Sequence, residues 1–206
     1  FPKRGASKKL ADMACWRPVC LPNNLLTMTT RQSTHPVAAQ FLDRSSPRAF
    51  SGKKLTAQDI ETIVEGARWA PSASNKQPWH FAYSINGDAN WQAFSTIPNE
   101  FNRRWCLNAG ALLVVLSDKQ SATHSFDTGC AWGYLALQAH AMGLATHAMA
   151  GIELDAARQV LQLDDNWKVE CLVAIGERGD KSSLPADLAE REVPSPRKPL
   201  SEILST

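Results

Sequence analysis

Residues 112–116 read Leu-Leu-Val-Val-Leu, an unbroken apolar run that constrains the fold more than any other segment. Side chains of a strand alternate between faces, so a run with no polar position reads as a central strand buried on both. Helices are expected to flank its sheet. Thr56 opens one, with Asp59 completing a capping box; Ile60, Ile63, Val64 and Ala67 follow at helical spacing until Pro71 stops it. Residues 127–142 form the longest candidate, closed by Gly143 as a left-handed cap. Its Gly, Ala and Cys content lets another backbone approach closely, either as ordinary core or as a subunit interface. Residues 80–85, ended by Asn86-Gly87, and 169–175, ended by Gly176, read as further strands; Asp155 reads as the cap of a shorter helix. Strands this few and unevenly spaced predict a mixed sheet with flanking helices, not a regular doubly wound fold.

A chain of 206 residues, 44% of them hydrophobic, suits one domain with a sizeable core and tails. No apolar stretch approaches the ~18 residues of a membrane helix. Residues 1–27 carry five basic side chains against Asp12 alone. They are expected to lie outside the fold as a basic leader, either a targeting segment or sequence upstream of a start near Met28. Residues 28–206 are expected to form the domain; being mildly acidic, they lack the footprint that nucleic acid requires. Five cysteines without CxxC or zinc-type spacing read as free thiols in a reducing cytoplasm. His124, His140 and His147 are spaced too irregularly for a metal site, and His80 reads as packing. Neither GxGxxG nor GxxxxGK[ST] occurs.

Two segments could carry chemistry. Arg44-Ser45-Ser46-Pro47-Arg48-Ala49-Phe50 sets two guanidiniums around two hydroxyls. Arginine binds phosphate as a planar fork and serine adds neutral donors, so this is either an anion site or a solvated turn. Ala70-Pro71-Ser72-Ala73-Ser74-Asn75-Lys76-Gln77-Pro78-Trp79 is a polar loop between a helix and a strand. It suits a polyhydroxylated or heteroaromatic ligand, or is a capped turn whose Ser and Asn satisfy their own backbone.

These blocks, in this order, resemble the flavin-dependent nitroreductase family, with its Arg-x-Ser-x-Arg/Lys-x-Phe and Pro-Ser-x-x-Asn-x-Gln-Pro-Trp signatures. Residues 127–146 look like the family's long interface helix, and Arg197-Lys198-Pro199-Leu200 like its closing basic motif; the likeness spans about residues 38–204. It implies an α+β class with a three-layer α/β/α fold, a mixed, mainly antiparallel sheet, and a homodimer that exchanges C-terminal tails (residues 196–204) and binds FMN at its interface. By the same resemblance, Arg44, Ser46 and Arg197 match positions at the phosphate and ribityl end, with Ser45 and Lys198 beside them. Arg48 matches a cation beside the flavin pyrimidine, and Asn102 an amide that binds the ring. Ala150 and Gly151 match a backbone pair facing the reacting ring edge. Pro71, Ser72 and Ala73, followed by Asn75, match a loop reaching the other subunit's flavin. Relatives carry a Lys three residues after the ring-binding Asn, where this chain has Trp105. Either Arg103 or Arg104 supplies that charge, or the indole narrows the pocket.

The resemblance implies a ping-pong oxidoreductase that moves hydride from NADH or NADPH through FMN to a small organic acceptor such as a nitroaromatic or quinone. A cofactor that brings its own redox chemistry leaves no need for a protein nucleophile or a metal. Arg48 would stabilise the negative charge that appears on the reduced ring. Two alternatives stay open: another specificity on the same fold (semialdehyde reductase, dehalogenase or flavin-fragmenting oxygenase), and a flavin-binding protein with little turnover.

Overall fold

The computed structural model describes residues 31–205. The basic leader 1–27 lies outside the described residues, as do the first and last positions of the expected domain. In chain order the elements are α1 (Ala39–Asp43), α2 (Ala57–Arg68), β1 (Trp79–Ile85), α3 (Trp91–Phe94), α4 (Glu100–Cys106), β2 (Ala111–Asp118), α5 (His124–Ala141), β3 (Ala145–Met149), α6 (Leu154–Leu161), β4 (Trp167–Gly176) and α7 (Ala186–Ala189).

The strands form one sheet in the order β1-β2-β4-β3, and its three pairings are all antiparallel, so among the described residues the sheet is antiparallel throughout and not the mixed sheet expected from the sequence. The apolar run lies in β2, which is paired on both edges, by β1 and β4, and buried on both faces. Its pleat divides the core. Leu112, Val114 and Leu116 face one cluster with Trp105, Leu172, Ala157 and Leu188, beneath α4, α6 and α7. Leu113 and Val115 face another with Ile60, Ile63, Ala67, Leu135 and Ala139, beneath α2 and α5. The result is the three-layer α/β/α arrangement.

Local chemistry explains the ends of the main helices. Thr56 accepts the Asp59 N–H at 3.1 Å while Asp59 accepts the Thr56 N–H at 2.8 Å, the full capping box. Gly143, at φ 76°, follows the C-terminus of α5 in the left-handed conformation. Three details differ from the sequence reading. Glu153, not Asp155, occupies the N-cap of α6, and Asp155 lies in its first turn, where its charge still complements the helix dipole. Residues 145 and 146 belong to strand β3 rather than to the long helix. The short elements α1, α3, α4 and α7 lack the length for a periodic signal.

Candidate functional site

Residues 49–51 run alongside 177–179. Phe50 bridges Arg178, the Ser51 N–H donates to Glu177 O at 3.0 Å, and the Gly179 N–H donates to Ala49 O at 2.9 Å. A Cβ at Gly179 would stand 2.6 Å from the Phe50 carbonyl, so the approach requires glycine. This pairing carries Arg178 to the Arg44–Arg48 motif, where its Nη2 donates to Ser45 Oγ. Arg44 Nη1 donates to Ser46 Oγ at 3.2 Å. Arg31 donates to Arg44 O at 2.8 Å and to Ser195 Oγ at 3.3 Å, and Arg197 reaches the same Ser195 Oγ at 3.2 Å. Four guanidiniums and three serine hydroxyls thus converge from four stretches of chain, at 31, 44–46, 178 and 195–197. Burial, and then the positive charge of Arg31 and Arg197, pull Arg44 below the usual guanidinium range; burial, Arg197 and Arg178 do the same to Arg31. Mutual repulsion of this kind is relieved by a multiply charged anion, which guanidiniums and hydroxyls bind in fork geometry. Arg31 Nε is buried without a partner, a donor left over for such a ligand. Lys198 stands apart, exposed, at 4.0 Å from Glu202.

A second group gathers at the end of β3. Asn99 caps α4 through its side chain, and its own N–H donates to Gly151 O at 3.1 Å. Asn102 Nδ2 donates to the same carbonyl at 2.9 Å. A Cβ at Gly151 would lie 2.6 Å from Asn102 Nδ2, so any larger residue would push the Asn102 and Asn99 amides aside. Asn102 and Gly151 therefore meet, with Ala150 exposed beside them. Arg48 is linked to Glu192, its Nη1 at 3.7 Å from Oε2, and its Nε is buried without a partner. The indole of Trp105 does not face a pocket. The indole is 1% exposed, stacked on Phe50 at 6.3 Å and tilted against His147 at 4.6 Å, inside the core. Arg104 pairs with Asp187 at 2.6 Å and Arg103 donates to the Thr96 and Pro98 carbonyls, so both guanidiniums are committed elsewhere.

His147 lies on the strand that leads to Gly151: its Nδ1 is 3.0 Å from Pro47 O, and β3 ends at Met149, two residues before Gly151. Burial, assisted by the Arg48 charge, lowers its pKa from 6.5 against weaker opposing effects of the Pro47 carbonyl and Glu192. Below pH 6.5 the unfolded chain then binds a proton that the folded chain refuses, so stability falls as pH drops from that value toward the folded pKa. His147→Gln should flatten the decline in urea midpoint over that window; an unchanged slope would assign the acid sensitivity to other groups.

The polar loop is held at the opposite end of α5. Asp127 Oδ2 accepts the Ala73 N–H at 3.2 Å and the Thr123 hydroxyl at 2.7 Å, while the Gln77 N–H donates to Ser72 Oγ at 3.0 Å. Ser74, Asn75 and Gln77 all have positive φ, at 50°, 55° and 48°. Three non-glycine residues there represent stored strain, a feature that clusters at ligand-contacting loops. His140, near the C-terminus of α5, feels Asp43, Arg44 and Arg178. From Asp127 to His140 the helix rises about 20 Å, so Pro71, Ser72, Ala73 and Asn75 sit far from the arginine cluster of their own chain. Cavities of about 230 and 290 Å³ border Trp167, one beside His80 and Leu163, the other beside Lys76 and Ser121, and neither touches the arginines.

The sequence reading missed Arg31, Arg178 and Ser195. Arg178 sits in a run of mixed charges, Glu177-Arg178-Gly179-Asp180-Lys181, and only the pairing with 49–51 gives it a role.

The sequence model of the Nitroreductase family matches residues 42–88 and 84–177. A crystal structure described as an oxidoreductase containing FMN is 47% identical, covers 86% of this chain and 94% of that one, and superposes with a TM-score of 0.84. An Archaeoglobus fulgidus protein provisionally named NADH dehydrogenase/NAD(P)H nitroreductase is 28% identical over 67% of this chain and 83% of its own. An oxygen-insensitive NADPH nitroreductase of Helicobacter pylori is 38% identical over a shorter match, 42% of this chain and 41% of its own. With its three-layer fold and its matched motifs, the chain belongs to the nitroreductase family of oxidoreductases.

Proposed function

We propose that the protein is an FMN-dependent oxidoreductase drawing on NADH or NADPH. Bound FMN would supply the redox chemistry, taking hydride from the nicotinamide and passing it to a small organic acceptor such as a nitroaromatic or quinone in two half-reactions. The observation that carries this reading is the arginine–serine cluster, which suits a phosphate monoester, with the unpartnered Nε of Arg31 as a spare donor. Arg31, Arg44, Arg178 and Arg197, with Ser45, Ser46 and Ser195, hold the phosphate end. Asn102 and the Ala150-Gly151 backbone serve the ring, with Arg48 as the cation beside it. Lys198, exposed at the tail, contributes long-range charge. The relatives' names support NAD(P)H as the donor and FMN as the cofactor.

The same reading makes the protein a homodimer in the reducing cytoplasm. The 71–75 loop, held at the end of α5 away from its own cluster, serves the flavin of a second copy. Phe126 and Tyr134 on α5, and Leu200, Ile203 and Leu204 on the tail, are exposed apolar surface that a second copy would cover. The purified protein should be yellow, sediment as a dimer with two FMN, and bleach when NADH or NADPH is added under nitrogen. A flavin-loaded monomer at micromolar concentration would overturn the shared site, and a colourless protein that ignores added FMN would overturn the cofactor.

A further inference from the structure

We propose that Glu192 is a positioning residue that holds Arg48 in place and partly offsets its charge, thereby setting the reduction potential of the bound flavin; this rests on the FMN reading above. Glu192 follows α7, which is anchored by the fully buried Leu188. Its side chain is 14% exposed, and Oε1 accepts the N–H of Arg48 at 2.7 Å and of Ala49 at 3.4 Å. A buried carboxylate held by two backbone donors is fixed, and it fixes the backbone from which the Arg48 side chain departs.

Oε2 does something different. It lies 3.7 Å from Arg48 Nη1, a charge contact too long for a hydrogen bond. The guanidinium keeps its N–H groups for a ligand, and its Nε is buried with no partner, while its positive field is reduced by the neighbouring negative charge. His147 also faces this pair, and burial lowers its pKa from the ordinary value, which disfavours a second positive charge there. When hydride enters the flavin from NAD(P)H, the nicotinamide is oxidised and the ring is left with added negative charge. A cation beside the ring favours that reduced form, and a carboxylate behind the cation moderates the preference. Glu192 therefore holds the potential below the value an unpaired Arg48 would give, which favours passing hydride on to the acceptor.

The test compares holoprotein potentials, measured by dye equilibration, for Glu192→Gln, Glu192→Asp, Arg48→Ala and the Arg48→Ala/Glu192→Gln double variant. Gln keeps an oxygen for the Arg48 N–H, so the fold and the backbone anchor survive while the charge is lost. Glu192→Gln should favour reduced over oxidised FMN by about tenfold, about 30 mV upward for a two-electron couple. Glu192→Asp should stay near the wild type, and Glu192→Gln should have no effect once Arg48 is alanine. If Arg48→Ala moves the potential and Glu192→Gln does not, Glu192 is merely structural and the inference fails while the FMN reading stands. A Glu192→Gln shift that persists without Arg48 also overturns it, because the carboxylate would then act on the flavin directly. A wild-type protein that binds no FMN removes the underlying reading, an outcome distinct from the other two.

Discussion

Arg44→Ala and Arg178→Ala should each weaken oxidised FMN about ten- to a hundredfold, because each removes a charge-assisted contact worth roughly 1.5–3 kcal/mol. The flavin potential should hardly move, since the phosphate is the same in both redox states and the loss is uniform. The double variant should lose less than the product of the two. Arg44 and Arg178 share a neighbour, because the charges of Arg31 and Arg197 act on Arg44 and those of Arg197 and Arg178 act on Arg31, so the two losses are coupled. Fluorescence titration of FMN into the apo-variants reads the effect. A strictly multiplicative loss would mean that the guanidiniums do not interact, and no loss would mean that Ser45 and Ser46 sit in a solvated turn.

Arg48→Ala should behave in the opposite way. On the proposed reading its charge faces the ring, where negative charge appears only on reduction, so its removal should lower the potential and slow reduction by NAD(P)H by about a hundredfold, the scale seen when one donor to a developing anion is deleted. Oxidised-FMN affinity should fall less than in Arg44→Ala. Anaerobic stopped-flow reduction gives the rate and dye equilibration the potential. An unchanged potential in Arg48→Ala, with a shifted one in Arg44→Ala, would exchange the two roles.

The physical reason for this division of labour is only partly legible in the sequence. Residues 112–116 announce a doubly buried strand because nothing in them tolerates water, and β2 is that strand. The Thr56–Asp59 box and Gly143 mark their helix ends through purely local bonds. β3 was hidden because Ala145–Met149 is short and carries Thr146 and His147, which no alternation rule flags. Among site residues, Arg44, Ser45, Ser46 and Arg48 could be read as a group because they are adjacent. Arg31, Arg178 and Glu192 could not. They reach the motif through Arg44 O, Ser45 Oγ and the Arg48 N–H respectively, and those contacts exist only after the chain has folded. Trp105 shows the converse. Its position in the motif suggested a pocket residue, but an indole gains more from burial between Phe50 and His147 than from a polar cleft.

The central claim, that four arginines hold the phosphate of FMN, is tested most directly by titrating FMN and riboflavin into the same apo-protein. The two ligands share the ring and the ribityl chain and differ only in the phosphate. Summed over a few charge-assisted contacts of the usual size, FMN should bind at least about a thousandfold more tightly, and Arg44→Ala should leave riboflavin binding unchanged. Equal affinity for the two ligands would contradict the account and leave the cluster without the anion it is built to hold.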